Sequence, residues 1–144
     1  MIEIQTDFIE VKTKGNCEIL DITTGVQNII NKLNFSEGNV LIFAGGSTAG
    51  ITTIEYEPGL LKDYPDFFER VAPENINYKH DNTWHDGNGH AHVRSSIQGA
   101  SFTVPFKDGE LLLGTWQQII LVDFDNRPRH RKITVQITGK KYSN

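Results

Sequence analysis

The chain has 144 residues, of which 38% are hydrophobic and 22% are charged, and its formal net charge is −4 at pH 7. This balance is typical of a globular domain and excludes a disordered or fibrous chain. The negative charge argues against nucleic acid as a partner. The apolar runs are far shorter than the ~20 residues of a membrane span, so we expect no membrane partner. The length of the chain predicts a single domain over residues 1–144.

Two features predict a cytoplasmic protein. The first residues alternate apolar and polar side chains and include acids, whereas a secretory signal has a basic start followed by a continuous apolar stretch. Cys17 is the single cysteine, so no intramolecular disulfide can form.

The first half of the chain alternates β and helical patterns. Residues 2–11 predict a strand that contains a bulge. Apolar residues at helical spacing between Ile22 and Leu33 predict an amphipathic helix of about three turns. Its N-cap candidates are Asp21, Thr23 and Thr24. Residues 40–44 predict a buried strand, and residues 51–56 predict another strand. A second helix is expected to begin near Pro58, and Pro65 is expected to kink or split this helix.

The second half contains three apolar, β-prone stretches at residues 97–106, 111–124 and 133–138. Lys107-Asp108-Gly109 between the first two indicates a hairpin. A strand-rich second half without regular strand–helix alternation favours an α+β domain over a parallel α/β fold.

Histidines are concentrated in one short stretch. Four of the five fall within thirteen residues: His80, His85, His90 and His92. If His90 and His92 lie on a strand, both imidazoles project from one face, and His80 from the preceding loop can complete a metal site. Three imidazoles with an open coordination position suit Zn²⁺, although Ni²⁺ accepts the same ligands. The alternative is a polar loop whose histidines cap backbone groups.

The neighbours of these histidines allow two interpretations. His85 sits in a turn-like sequence, which favours a surface position over a fourth ligand. Asp81 and Asp86 would either orient a ligating imidazole through its second nitrogen or simply form turns.

Polar residues elsewhere offer anion-binding and acid–base groups. The backbone amides of residues 45–50 could bind an anion with the Ser47 and Thr48 hydroxyls, although a plain turn fits equally well and the lysine of a P-loop is missing. Glu55 is a candidate general base, with a solvent-facing position as the alternative. The basic run around Pro128, which includes Arg127, could bind phosphate or carboxylate or form a solvated turn.

Several segments together resemble the YjbQ-type family, whose members are often labelled secondary thiamine-phosphate synthase. The resemblance is carried by residues 47–52, Glu55, residues 77–80, residues 92–96 and the Gly-Thr-Trp-Gln sequence at residues 114–117. It implies a compact α+β domain of packed, sandwich-like β-sheets with two main helices. It also implies a homotrimer and a polar pocket that gathers histidines and, in some members, a metal ion.

The resemblance also assigns individual positions. His80 and His92 match the two pocket histidines of the family, and Glu55 matches an acidic residue. Many members have a histidine where this chain has Gly46, so we hypothesise that His90 replaces that ligand.

The signature residues match as Thr115, Trp116 and Gln117. Neighbouring residues of a strand point to opposite faces, so not all three can line one pocket. Trp116 is equally well explained as a core residue.

These observations predict three groups of site residues. The expected metal ligands, most simply for Zn²⁺, are His80, His90 and His92. The expected catalytic residues are Glu55, Thr115 and Gln117. The expected substrate-binding residues are Ser47, Thr48, Arg94, Ser95, Trp116 and Arg127.

Three functions are compatible with these residues. The first is a low-activity thiamine-phosphate synthase that joins a pyrimidine pyrophosphate to a thiazole phosphate. The second is a metal-dependent hydrolase of a small phosphorylated or acyl substrate, with a metal-bound water as nucleophile and Glu55 as base. The third is a non-enzymatic trimer that binds a small anion or a metal.

Overall fold

The computed structural model describes residues 1–143. The strands are β1 (Glu3–Thr13), β2 (Glu18–Asp21), β3 (Phe35–Ala44), β4 (Ala49–Glu55), β5 (Ser101–Lys107), β6 (Glu110–Leu111), β7 (Gln117–Asp123) and β8 (Arg129–Lys141). The helices are α1 (Thr23–Lys32), α2 (Leu60–Val71), α3 (Lys79–Trp84) and α4 (Gly89–Gln98). No helix among the described residues combines the length and the apolar character that a membrane crossing requires.

The strands form two antiparallel sheets. One has five strands in the order β1-β8-β3-β5-β6, and the other has three in the order β2-β7-β4. In the larger sheet β8 lies between β1 and β3, pairing Glu3 with Gly139 and Ala44 with Ile133. The expected α+β fold with packed sheets is therefore confirmed, with four helices rather than two main ones.

The smaller sheet lies between the larger sheet and two helices. Ile119 and Leu121 of β7 join the core shared with the larger sheet and α1. Ile120 and Val122 pack in a second core with side chains of α2 and α4, including Phe68. Because alternate residues of a strand face opposite sides, burial of both faces requires a continuously apolar strand. This explains the run from Ile119 to Val122.

Several element predictions need correction. The strand expected over residues 97–106 begins at Ser101, because residues 89–98 form α4. Gly99, with a φ of 98°, ends that helix, and its N–H donates to the Ser95 carbonyl. The second predicted helix begins at Leu60 and continues through Pro65 without splitting. The β1–β8 pairing runs without a bulge.

Two local predictions are confirmed. The helix predicted from the spacing between Ile22 and Leu33 is α1, which buries Val26, Ile29 and Ile30. The predicted hairpin joins β5 to β6, pairing Lys107 with Glu110. The two residues between them, Asp108 and Gly109, both have positive φ, as a tight two-residue turn requires.

Candidate functional site

A polar cavity of about 400 Å³ opens where several connecting segments meet. The β3–β4 loop forms one wall, α3 and the start of α4 form a second, and the start of β8 forms a third. The lining residues are Gly46, Ser47, Thr48, His80, Trp84, Asp86, Asn88, His92, Arg129 and Arg131. The cavity thus combines imidazole and carboxylate groups with two guanidinium groups.

His80 and His92 face each other across the junction of α3 and α4. Their ring centroids are 4.0 Å apart. Burial, and then the proximity of His80, lower the pKa of His92 below its ordinary value. His92 is therefore neutral at neutral pH, with a lone pair available to a ligand.

The Nδ1 atom of His80 is buried and has no hydrogen-bond partner among residues 1–143. It lies 3.8 Å from Oδ1 of Asp81 and 3.7 Å from Oδ1 of Asp86, which is too far for hydrogen bonds. Ligand atoms of these three residues all lie within 4.8 Å of one another. Such separations fit three ligands of one ion at bond lengths of about 2.0–2.2 Å. The residues therefore fit a divalent metal ion.

The arginine side of the cavity is positioned by two fully buried aspartates. Nε and Nη2 of Arg131 donate to the Asp123 carboxylate at 2.8 and 3.0 Å, and Nη2 also donates to Oγ1 of Thr48 at 2.8 Å. Nε of Arg129 donates to Oδ2 of Asp125 at 2.8 Å. These contacts hold both guanidinium groups at the cavity wall, while Nη1 of Arg131 makes no hydrogen bond within the described residues.

Asp125 is the most strongly perturbed acid of the site. Burial alone would raise its pKa, but hydrogen bonds from Asn88, the Asn126 N–H, Arg129 and Thr48 outweigh burial and lower the pKa to about 2. Asp125 is therefore a fixed anion that orients its donors at any physiological pH.

Asn88 provides a second unpartnered group in the cavity wall. Its Nδ2 donates to Oδ1 of Asp125 at 3.2 Å, which fixes the orientation of the amide. The Oδ1 atom is buried and has no partner among the described residues. A buried acceptor without a donor is costly, so this oxygen is suited to a donor on a bound ligand or water.

Gly46 makes room for the Arg131 guanidinium. Its φ of 153° favours glycine, and a Cβ atom at this position would lie 3.2 Å from Nη1 of Arg131. At this position, where the family resemblance led us to expect a histidine, the chain has a glycine next to an arginine.

Four of the sequence-predicted site residues meet in this cavity: Ser47, Thr48, His80 and His92. His85 is exposed and ends α3 with a φ of 58°, in agreement with its predicted surface position.

Asp81 accepts the Gly89 N–H at 2.9 Å, so it also fixes the start of α4. Arg127 is exposed and does not line the cavity, and Ser95 is buried, donating to the Ala49 carbonyl at 2.6 Å.

His90 does not join His80 and His92. The prediction placed His90 and His92 on a strand, but both lie on α4, where residues two apart are rotated by about 200°. His90 therefore points to the opposite side of the helix and lines a second cavity together with Arg94. The structure does not bring together the predicted ligand set of three histidines.

The predicted catalytic residues lie far from the cavity within one chain. Glu55 is exposed and pairs in register with Gln117, at the opposite end of β4 and β7 from Ala49 and Asp123. At about 3.3 Å per residue, the length of β4 separates the two ends by roughly 20 Å.

The signature residues stabilise their own loop. Gln117 donates to Thr53 and accepts the Gly114 N–H, both at 3.0 Å, while Thr115 lines a separate surface pocket with Gln117. The alternative of a core position for Trp116 is wrong, because this side chain is 72% exposed.

Three residues of the site were not predicted from the sequence, namely Asp123, Asp125 and Asn88. Arg129 and Arg131 were part of the predicted basic run but were not assigned to the site. The available signal was the order of charges: two acids at the end of an apolar strand, followed within eight residues by a basic run. Acids and arginines so close in sequence, next to a strand end, indicate a buried ion-pair network.

Comparisons with known proteins agree on one family. A sequence model of the YjbQ-like UPF0047 proteins matches residues 7–140. A UPF0047 protein of Methanocaldococcus jannaschii is 38% identical over 133 residues, covering 92% of this chain and 93% of that protein. A second UPF0047 protein, from Archaeoglobus fulgidus, is 37% identical over 89% of this chain and 97% of its own length.

Solved structures give the same result. The crystal structure of a YbjQ-like protein of unknown function from Sulfolobus solfataricus has a TM-score of 0.91 and 36% identity, covering 97% of this chain and all of that one. A hypothetical protein from Aeropyrum pernix has a TM-score of 0.88 and 30% identity, covering 94% and 99% of the two chains.

Proposed function

This chain belongs to the family of YjbQ-like UPF0047 proteins, and from that premise we propose that its histidine cavity binds a divalent metal ion and a small phosphorylated ligand. One observation carries this proposal: the buried, unpartnered Nδ1 of His80 lies 3.7–3.8 Å from two carboxylates. In a metal-free site this nitrogen would be desolvated without compensation. An ion shared with Asp81 and Asp86 satisfies it.

The ligand set favours Zn²⁺. His80, Asp81 and Asp86 provide one imidazole and two carboxylates, and the neutral His92 faces the same space. Zinc accepts this mixture of nitrogen and oxygen ligands and leaves a position open to substrate. When bound, such an ion would polarise a phosphate oxygen or activate a water molecule.

The arginines determine the kind of second ligand. Arg131 and Arg129 present N–H donors to the cavity, and the hydroxyl groups of Ser47 and Thr48 lie in the same wall. Guanidinium forks match the oxygens of a phosphate or pyrophosphate. Because Asp123 and Asp125 anchor these arginines, their positions are set before the ligand arrives, which reduces the entropy cost of binding.

The reaction that we propose is thiamine-phosphate synthesis at low activity. The bond between the methylene carbon of the pyrimidine substrate and its pyrophosphate oxygen breaks, and the thiazole nitrogen forms a C–N bond to that carbon. Arg129 and Arg131 would stabilise the charge that develops on the departing pyrophosphate. The hydrolase alternative is weaker because Glu55, its proposed base, lies roughly 20 Å along β4 from the cavity of its own chain.

Metal binding is tested by titrating the chelator-treated protein with Zn²⁺ in a calorimeter. We expect one ion per chain. His80→Ala should weaken zinc binding by more than about 100-fold. This exceeds the loss expected when the removed residue only supports a ligand and does not itself contact the metal. His85→Ala is the matched control, because His85 is exposed at the opposite end of the same short helix. Equal zinc affinity of the two variants would refute the site.

The chemistry is tested by incubating the zinc-loaded protein with the two thiamine precursors. Formation of thiamine phosphate with equimolar pyrophosphate supports the synthase. Arg131→Lys should reduce the rate by about tenfold because the guanidinium fork is lost, while Arg127→Lys, at an exposed position outside the cavity, should not. Phosphate release without thiamine phosphate would indicate the hydrolase, and saturable pyrophosphate binding without turnover would indicate a binding protein.

The assembly proposal accompanies this function. We propose a cytoplasmic homotrimer, in which the Gly114–Gln117 segment contacts a neighbouring subunit. The support is the 72% exposure of Trp116 and the 57% exposure of Leu112 on one short segment. Sedimentation equilibrium should give three times the chain mass, and Trp116→Ala should shift the distribution towards smaller species. A monomer at micromolar concentration would contradict the proposal.

A further inference from the structure

A second cavity of about 240 Å³ lies on the opposite side of α4 from the histidine cavity. Its buried side is formed by His90, Arg94 and Cys17, while its exposed rim carries the carboxylates of Asp66, Glu69 and Glu74. None of these residues contributes to the proposed metal and phosphate site. The two cavities are therefore chemically separate, although α4 lines both.

His90 is the unexplained group in this second cavity. It is only 3% exposed, and neither imidazole nitrogen has a hydrogen-bond partner among residues 1–143. Burial, followed by the charge of Arg94, lowers its pKa, so the ring is neutral and offers one acceptor and one N–H donor. The ring lines the cavity, so its acceptor and its donor are available to a bound molecule.

The charged groups around His90 indicate whether that molecule is a cation or an anion. The Arg94 guanidinium donates from Nε to the Ala72 carbonyl at 2.9 Å and forms an ion pair with Glu69 at 2.7 Å. Glu69 therefore neutralises Arg94. Asp66 and Glu74 make no ion pair within the described residues, and burial raises the pKa of the Cys17 thiol to about 11, so it is uncharged. The cavity keeps an excess of two negative charges.

A metal ion is a poor fit for these groups. Among the described residues, His80, Asp81 and Asp86 are the one group of three or more potential ligands whose donor atoms converge within 4.8 Å. Cys17, His90 and Glu69 do not converge in this way, although all three line the cavity. A larger cation that spans the separate groups therefore fits this cavity better than a metal ion does.

We propose that this second cavity binds a small organic cation with N–H donors, such as a primary ammonium or a guanidinium. One N–H donates to the unpartnered nitrogen of His90, and the positive charge lies between the carboxylates of Glu74 and Asp66. The cavity is below the ~300 Å³ at which drug-sized pockets begin. It therefore selects a short alkylamine or the end of a longer one.

The test uses ethylammonium and 1,4-diaminobutane as probes, with acetate at the same ionic strength as the anionic counterpart. Binding is followed by NMR on the His90 ring protons and by calorimetry. Both amines should titrate to saturation and shift the His90 signals, while acetate should not. Saturable acetate binding at His90, or amine shifts that rise linearly without saturation, would overturn the proposal.

Variants separate this cavity from the metal site. Glu74→Gln should weaken amine binding about three- to fivefold, as expected for one partly solvated charge, and the double variant D66N/E74Q should weaken it further. Glu110→Gln, at an exposed acid on β6, is the matched control and should leave the affinity unchanged. Because Glu74 is exposed, its variant should fold even if His90→Gln does not. His80→Ala should remove zinc and leave amine binding intact; parallel loss of both would contradict two independent sites.

Discussion

Replacing Asp125 with asparagine removes the anion that orients Arg129, Thr48 and Asn88 and should change how stability depends on pH. Asp125 is fully buried, and its pKa falls from 3.8 in the unfolded chain to about 2 in the fold. A folded pKa below the unfolded one means that the ionised carboxylate stabilises the fold. This contribution is complete above about pH 5 and is lost as the pH falls through 4 towards 2. The difference in pKa corresponds to about 2 kcal/mol.

Urea unfolding followed by circular dichroism at pH 6 and pH 3 measures this effect. The wild-type protein should lose about 1 kcal/mol more than Asp125→Asn between the two pH values, since roughly half of the contribution has disappeared by pH 3. Asp108→Asn, in the exposed β5–β6 turn, is the control and should follow the wild-type protein. The reasoning is refuted if the difference in unfolding free energy between wild type and Asp125→Asn is the same at both pH values.

Three further substitutions test the packing and the site walls. Phe68→Ala, in the core beneath α2, should lower the free energy of unfolding by about 3–5 kcal/mol in urea titrations; a loss below 1 kcal/mol would mean that the second core is loose. Gly46→Ala should cost about 1 kcal/mol through its positive φ and, by crowding Arg131, weaken pyrophosphate binding in calorimetry; unchanged binding would show that Arg131 does not contact the ligand. Thr13→Val removes a 2.6 Å hydrogen bond to Asp123 and should cost about 1–3 kcal/mol in thermal unfolding, and an unchanged midpoint would contradict that bond.

The sequence predicted the elements whose signals are local. The α1 helix follows from apolar residues at helical spacing between Ile22 and Leu33, and the β5–β6 hairpin follows from Asp108-Gly109. The α4 helix was not predicted because its buried residues form no apolar stripe; they are Gly89, His90, Ala91, Arg94 and Ser95. Without that stripe, the two-residue spacing of its histidines was interpreted as strand alternation.

The candidate site was predictable only in part for a similar reason. His80, His92, Ser47 and Thr48 stand in dense or glycine-rich segments that indicate a site by composition. The order of charges indicates the aspartate–arginine pairs, but their place in the cavity depends on how the end of β7 meets the start of β8. The distance of Glu55 and Gln117 from the cavity also becomes visible only when the strand register is known.

The position of β8 has a consequence for how the chain folds. This last strand inserts between β1 and β3, so the earliest residues of the chain remain unpaired along this edge until the latest ones arrive. Contacts between such distant segments close slowly, because a long loop must be ordered before they form. Arg129 and Arg131 begin the same strand. The cavity wall that carries Arg129 and Arg131 is therefore complete only when β8 has paired with β1 and β3. Without β8, both an open sheet edge and an unfinished cavity would be exposed.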